Sequence, residues 1–159
     1  TLKALVGNTS PPTRAMPIKI KYIRADLERW AQQYGIRVKT PSAHDSRRAN
    51  CGTFFAINKG QAQDYVSLVM KRVWNDGIAV DSEELLHMAA SDLGWDFNEF
   101  TRFLASSDPD ALLNAANEGA ARSGVFGSPT MAVDEQIWWG NDRLDFLETY
   151  LQETKHVTT

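Results

Sequence analysis

Cysteine is almost missing from this sequence of 159 residues, in which Cys51 stands alone. One thiol can neither close an internal disulfide nor form a Cys-x-x-Cys pair, which excludes a disulfide scaffold and a self-contained thioredoxin-type redox centre. Long hydrophobic runs are missing too. Stretches such as Gly77 to Val80 and Thr130 to Val133 fall far short of the roughly 20 apolar residues that span a bilayer, so no membrane helix is expected. Nor is there a charge surplus: 17 Lys and Arg stand against 20 Asp and Glu, a net charge of -3. No basic excess is available to neutralise a phosphate backbone, and nucleic acid is not an expected partner. The histidines His44, His87 and His156 lie far apart, with no Cys or carboxylate at ligand spacing, so no metal site is expected. The first residues lack a basic region, an apolar core and a cleavage site, and without an export signal a cytoplasmic protein is expected. Because the chain begins with Thr1 rather than Met, either processing or an absent upstream start is implied. What is present, 43% hydrophobic and 23% charged residues, matches one soluble globular domain.

Helical periodicity dominates the first three quarters. The Gly7-Asn8-Thr9-Ser10-Pro11-Pro12 cluster predicts a loop, since consecutive prolines break a helix. From about Ile18 to Tyr34 the apolar positions Ile23, Leu27, Trp30, Ala31 and Tyr34 form one stripe of a helix closed by Gly35. Between Pro41 and Asn58, Ala49, Thr53 and Ala56-Ile57 fall near one side of a further helix. After Gly60, Ala62, Val66, Val69, Met70 and Val73 predict the next, stopped at Asp76-Gly77. Asp81 with Glu84 has capping-box spacing ahead of Leu85, Leu86, Ala89 and Leu93, and Gly94 ends that helix. A short helix carries Phe97, Phe100, Phe103 and Leu104. Asp108-Pro109 then reads as an N-cap with proline at the first helical position, and the helix runs to about Ser123.

At Gly124 the pattern turns extended. Thr130 to Val133 and Gln136 to Trp139, joined by Asp134-Glu135, predict a hairpin, and Gly140-Asn141 introduces a last helix with Leu144, Leu147 and Leu151 on its apolar face. An isolated two-stranded hairpin is marginal in water, so a larger sheet is implied. Pro129 stands just before the first strand, where a cis bond would turn the backbone of Ser128 outward toward an extended peptide. An ordinary strand-start proline is the alternative. Asn141 and Asp142 stand ten residues on, at a helix start whose N–H groups favour a carboxylate, while the Asp142 side chain suits an ammonium group. A peptide bearing both groups at one end, such as glutathione, satisfies both features; a plain N-cap and a first-turn acid are the alternative. Cys51 is expected to be an inert packed residue, and Trp138-Trp139 to pack on the sheet.

In four places, taken in order, the sequence resembles the bacterial 2-hydroxychromene-2-carboxylate isomerases, grouped with kappa-class glutathione transferases in the DsbA-like branch of the thioredoxin superfamily. These are Gly7-Asn8 with the Pro-Pro loop; Lys19, Tyr22, Asp26-Leu27, Arg29-Trp30-Ala31; Gly124 to Thr130; and Trp139 to Leu144. The resemblance implies an α/β thioredoxin-like fold with a large α-helical insertion, mostly helical in this chain. It also implies that a strand, a helix carrying the activating serine and a further strand, roughly a quarter of a member's domain, belong before Thr1. Residues 1–17 are then a loop, 18–123 the helical insertion and 124–159 the hairpin-helix end of the thioredoxin half. By resemblance Asn8 and Lys19 contact the glycine end of glutathione or nearby backbone, Ser128 pairs through its main chain with the cysteinyl unit, Pro129 is cis, and Asn141 and Asp142 hold the γ-glutamyl end. Without the resemblance, Lys19 reads as a solvated lysine and Asn8 as a turn residue. The implied reaction opens a hydroxychromene carboxylate to trans-o-hydroxybenzylidenepyruvate in naphthalene-type aromatic catabolism, with glutathione as a regenerated cofactor and a homodimer as the working form. Kappa-like transferase or peroxidase activity, DsbA-like disulfide exchange and a non-catalytic module are the competing functions.

Overall fold

A computed structural model describes residues 1–9, 15–42 and 44–155. The predicted Pro11-Pro12 loop and His156 lie outside the described residues. In chain order the elements are α1 (Leu2–Leu5), α2 (Pro17–Gln33), α3 (Arg47–Asn58), α4 (Ala62–Lys71), a π-helical turn (Arg72–Asp76), α5 (Glu83–Leu93), α6 (Phe97–Ala105), α7 (Asp108–Arg122), β1 (Thr130–Val133), β2 (Gln136–Trp139), a 3-10 turn (Asn141–Arg143) and α8 (Leu144–Lys155). The segment 1–17, expected as loop, thus opens with one turn of helix, α1. Two compact units result: Ser10–Leu113, and Thr1–Thr9 with Asn114–Thr159. The division between the two units falls within α7.

In the helical unit, the core gathers Phe55 and Ala56 of α3, Tyr65 of α4, Leu86, Ala89 and Ala90 of α5, and Phe100 of α6. Phe55 meets Trp95 edge-on at 5.0 Å, and Trp95 meets Phe100 at 5.2 Å. Such aromatic pairs add roughly 1 kcal/mol beyond their buried area. The Trp95 indole N–H donates to Gln61 Oε1 at 2.7 Å, so this buried polar edge is satisfied. Tyr65, only 1% exposed, donates its hydroxyl to the Ala49 carbonyl at 2.9 Å. Burial pushes its phenol well above the ordinary value, with the nearby Cys51 adding to the rise.

Several local features differ from those expected of the sequence. The cap of α5 is Ser82, not Asp81: its hydroxyl accepts from the Leu85 N–H at 3.2 Å and donates to the Ala79 carbonyl at 2.7 Å, which places the helix start one residue later. On α4, Val66 and Met70 of the predicted stripe are exposed, whereas Tyr65 is buried. The buried line runs from Tyr65 past Leu68 and Val69 to Val73. Helix α7 begins at Asp108 itself, so Pro109 is the second helical residue, where its lack of an N–H still breaks no intrahelical bond. Along α2 only Ala31 of the predicted stripe is fully buried, while Ile23 and Tyr34 stay exposed. Gly35 does close this helix, with φ +63° and its N–H on the Gln32 carbonyl.

In the other unit β1 and β2 pair antiparallel in the register Thr130↔Trp139 to Val133↔Gln136. Among the described residues these are the only two strands of the sheet. Asp134 supplies the left-handed φ of +53° in the two-residue turn. The Tyr150 hydroxyl of α8 donates to its carboxylate at 3.0 Å and is thereby held above the ordinary phenol value. Trp138 faces α8, with its ring 5.1 Å from Tyr150, and Trp139, on the opposite face of the strand, packs 5.2 Å from Phe126.

Candidate functional site

The turn between α7 and β1 is shaped residue by residue. Gly124, at φ +77°, ends α7, and the Val125 N–H returns to the Ala120 carbonyl at 2.9 Å. Gly127 follows with the Trp139 indole against it: a side chain there would run into the ring, whose Cε2 lies 3.1 Å from the position of an added Cβ. The Ser128–Pro129 peptide bond is cis. Thr130, the first residue of β1, donates its hydroxyl to the Gly127 carbonyl at 2.7 Å and so closes the turn. Ser128 is exposed and makes no backbone hydrogen bond to any described residue.

The hairpin register then brings the second motif alongside. The Gly140 N–H donates to the Pro129 carbonyl at 3.0 Å, which sets residues 140–142 beside Ser128 and Pro129. Gly140 takes φ +103° and ψ 150°, a conformation open only to glycine at little strain. Asn141 and Asp142 occupy a 3-10 turn ahead of α8, not the first turn of the α-helix as predicted, because the Arg143 N–H closes on the Gly140 carbonyl at 3.3 Å. Both side chains are exposed. The Asp142 carboxylate meets Arg143 Nη1 at 3.4 Å with both side chains at least half exposed, an ion pair worth no more than about 1 kcal/mol and so easily exchanged for a ligand ammonium. Ser128, Pro129, Asn141 and Asp142 therefore form one cluster. Asn8, exposed, belongs to the same compact unit, with its N–H on the Lys3 carbonyl at 3.0 Å. Lys19 stands exposed in the first turn of α2, in the helical unit.

Sequence reasoning passed over two groupings. Cys51 is buried, its thiol 3.6 Å from the Pro109 carbonyl and 3.7 Å from Asp110 Oδ1, and Arg47 binds that carboxylate at 2.7 Å. Burial first, and the Asp110 charge second, push the thiol above its ordinary value, with Arg47 opposing. A thiol held protonated is inert at neutral pH, in keeping with the packed role expected for Cys51. The second is an apolar cavity against the π turn, for which the sequence carries no signal beyond the Val, Met and Trp residues it shares with the core.

A family model of the DSBA-like thioredoxin domain matches residues 2–152. A 2-hydroxychromene-2-carboxylate isomerase of Pseudomonas putida is 40% identical over 148 residues, which are 93% of this chain and 73% of that protein. One of Sphingobium xenophagum is 39% identical over 149 residues, 94% of this chain and 76% of its own length. A solved structure of a 2-hydroxychromene-2-carboxylate isomerase matches with a TM-score of 0.93 at 38% identity, covering 99% of this chain and 77% of that one. The fold is thus DsbA-like, mostly helical with a small sheet, and the chain belongs to the DSBA-like thioredoxin family and, within it, to the 2-hydroxychromene-2-carboxylate isomerases.

Proposed function

We propose that the protein is a glutathione-dependent isomerase that converts 2-hydroxychromene-2-carboxylate to trans-o-hydroxybenzylidenepyruvate. The observation that carries the reaction is identity of 38–40% to proteins of that name over more than nine tenths of the chain. Glutathione is supported by chemistry at the cluster described above. Ser128 leaves its backbone N–H and C=O to an extended peptide, and an amide and a carboxylate stand next to it at Asn141 and Asp142.

When bound, glutathione supplies a thiol nucleophile. In this reading the chain's own residues hold and orient the tripeptide. Ser128 pairs with the cysteinyl backbone, the Asp142 carboxylate takes the γ-glutamyl ammonium in place of Arg143, and the Asn141 amide donates to the γ-glutamyl carboxylate. Asn8, of the same compact unit, takes the glycine end. Fixing both ends confines the thiol to one position, so the reacting atoms are brought together without a further loss of freedom. The same reading takes a cytoplasmic homodimer as the working form, and sedimentation of the purified protein tests the dimer.

Conversion of 2-hydroxychromene-2-carboxylate by the full gene product, followed by the change in ultraviolet absorbance with and without glutathione, is the direct test. Turnover that requires catalytic amounts of glutathione is expected. Equal rates without it would remove the cofactor from the proposal, and no turnover in either case would remove the reaction.

A further inference from the structure

Ser128 makes no main-chain hydrogen bond of its own to any described residue, so whatever orients its N–H and C=O acts through its two neighbours. On one side, the Gly127 carbonyl is held by the Thr130 hydroxyl at 2.7 Å. The Trp139 indole packs against the same glycine, close enough that an added Cβ would lie 2.5 Å from Nε1 and 3.1 Å from Cε2. On the other side, the Pro129 carbonyl is held by the Gly140 N–H at 3.0 Å. Trp139 ends β2, Gly140 follows it, and Trp139 is the register partner of Thr130. One strand end therefore grips both flanks of Ser128, by a ring at residue 127 and by a hydrogen bond at residue 129.

The two tryptophans of β2 point in opposite directions, as successive strand residues do. Trp138 turns to α8, with its ring 5.1 Å from that of Tyr150. Trp139 meets the Phe126 ring at 5.2 Å, lies against Gly127, and stays 53% exposed. Its ring contacts thus go to the turn before β1 rather than to α8. Removing the indole would strip one wall from residues 126–127 while the β1–β2 ladder and the Trp138–Tyr150 contact remain. A residue whose N–H and C=O are free but whose direction is already fixed suits an extended peptide, because the cost of ordering it is not met again on binding.

We propose that Trp139 is a positioning residue for the peptide ligand: its indole, braced on Gly127, holds the Ser128 main chain in one orientation. The proposal deepens the functional reading and rests on it for the identity of that ligand as glutathione. Nitrogen-15 relaxation of the full gene product without glutathione tests the restraint itself. The Ser128 N–H, although unbonded, should show an order parameter near the rigid-backbone value of about 0.85, falling below about 0.6 in Trp139→Leu. In the chromene reaction Trp139→Leu should raise the glutathione KM about tenfold, the scale of ordering one backbone residue on binding. The kcat at saturating glutathione should not change, as expected when only ground-state binding is lost. Gly127→Ala should have both effects by forcing the ring off the turn while every hairpin side chain is kept, so a folding defect in Trp139→Leu does not decide the matter. Trp139→Phe, which keeps a ring in place, should retain most of the wild-type order and KM. A Ser128 order parameter unchanged in both Trp139→Leu and Gly127→Ala would overturn the proposal. So would a fall in kcat at constant KM, the mark of a merely structural role. Chromene turnover that ignores glutathione, with Ser128 order still lost in Trp139→Leu, would instead tell against the functional reading and leave the role of Trp139 standing.

Discussion

Gly52 sits in the middle of α3, where helix propensity alone favours alanine by about 1 kcal/mol. The packing predicts the opposite sign. A Cβ at Gly52 would run into the Tyr65 hydroxyl, would lie 2.8 Å from Tyr65 Cζ and 3.1 Å from Phe100 Cζ. Tyr65 and Phe100 are 1% and 0% exposed and have no free space to retreat into. Overpacking of this kind costs about 1–3 kcal/mol. If the tyrosine rotates away, the Ala49 carbonyl loses its donor as well, for about 1 kcal/mol more. Set against the propensity gain, Gly52→Ala is expected to destabilise the protein by about 2 kcal/mol. Urea unfolding followed by circular dichroism should show a midpoint lowered by about 1 M, from m-values of ~1–3 kcal/mol/M. Pairing Gly52→Ala with Tyr65→Phe, which removes the closest contact, should cost less than the sum of the single variants. A neutral or stabilising Gly52→Ala, or strict additivity with Tyr65→Phe, would show that the contact to Tyr65 does not restrain α3.

Other consequences can be measured separately. Ser82→Ala should lower stability by about 1 kcal/mol through loss of the α5 cap, whereas Asp81→Ala should change it little. The same urea titrations compare the two. Cys51 and Tyr65 both have raised folded-state values, so their neutral forms favour folding below the ordinary thiol and phenol ranges. That contribution is lost as pH rises through the folded values, and stability should decline above about pH 9. Reaction of Cys51 with a disulfide reagent at pH 8 should be slow in the native protein and fast in urea. Asp142→Asn should raise the glutathione requirement of the chromene reaction about tenfold, the scale of one charge-assisted hydrogen bond, with little change in unfolding midpoint. An unchanged requirement would remove Asp142 from the γ-glutamyl contact.

The helices of the first 123 residues and the hairpin after them were legible because their signals are local. A stripe at helical spacing, a glycine with positive φ such as Gly35 or Gly94, and a turn pair between two short apolar runs each act within a few residues. The candidate glutathione contacts were legible in part for the same reason, since the Gly124 to Thr130 and Trp139 to Leu144 motifs are continuous in sequence. Their proximity is set by the β1–β2 register and the bond from the Gly140 N–H to the Pro129 carbonyl. What sequence alone could not supply depended on packing between distant segments. Tyr65 displaced Val66 and Met70 from the buried face of α4 because its ring fits above Gly52 and reaches the Ala49 carbonyl. Ser82 taking the cap from Asp81 is a local exception, since its hydroxyl reaches two backbone groups, at Ala79 and Leu85, each three residues away. The π turn is also bonded to a distant segment, since Lys39 reaches across more than thirty residues of chain to the Trp74 and Asp76 carbonyls. By itself the sequence determined the elements, their order and the family motifs, because backbone preferences and side-chain periodicity are short-range. The tertiary structure decided which faces are buried and where a ligand-sized space remains open, because those outcomes follow from contacts between residues far apart in the chain.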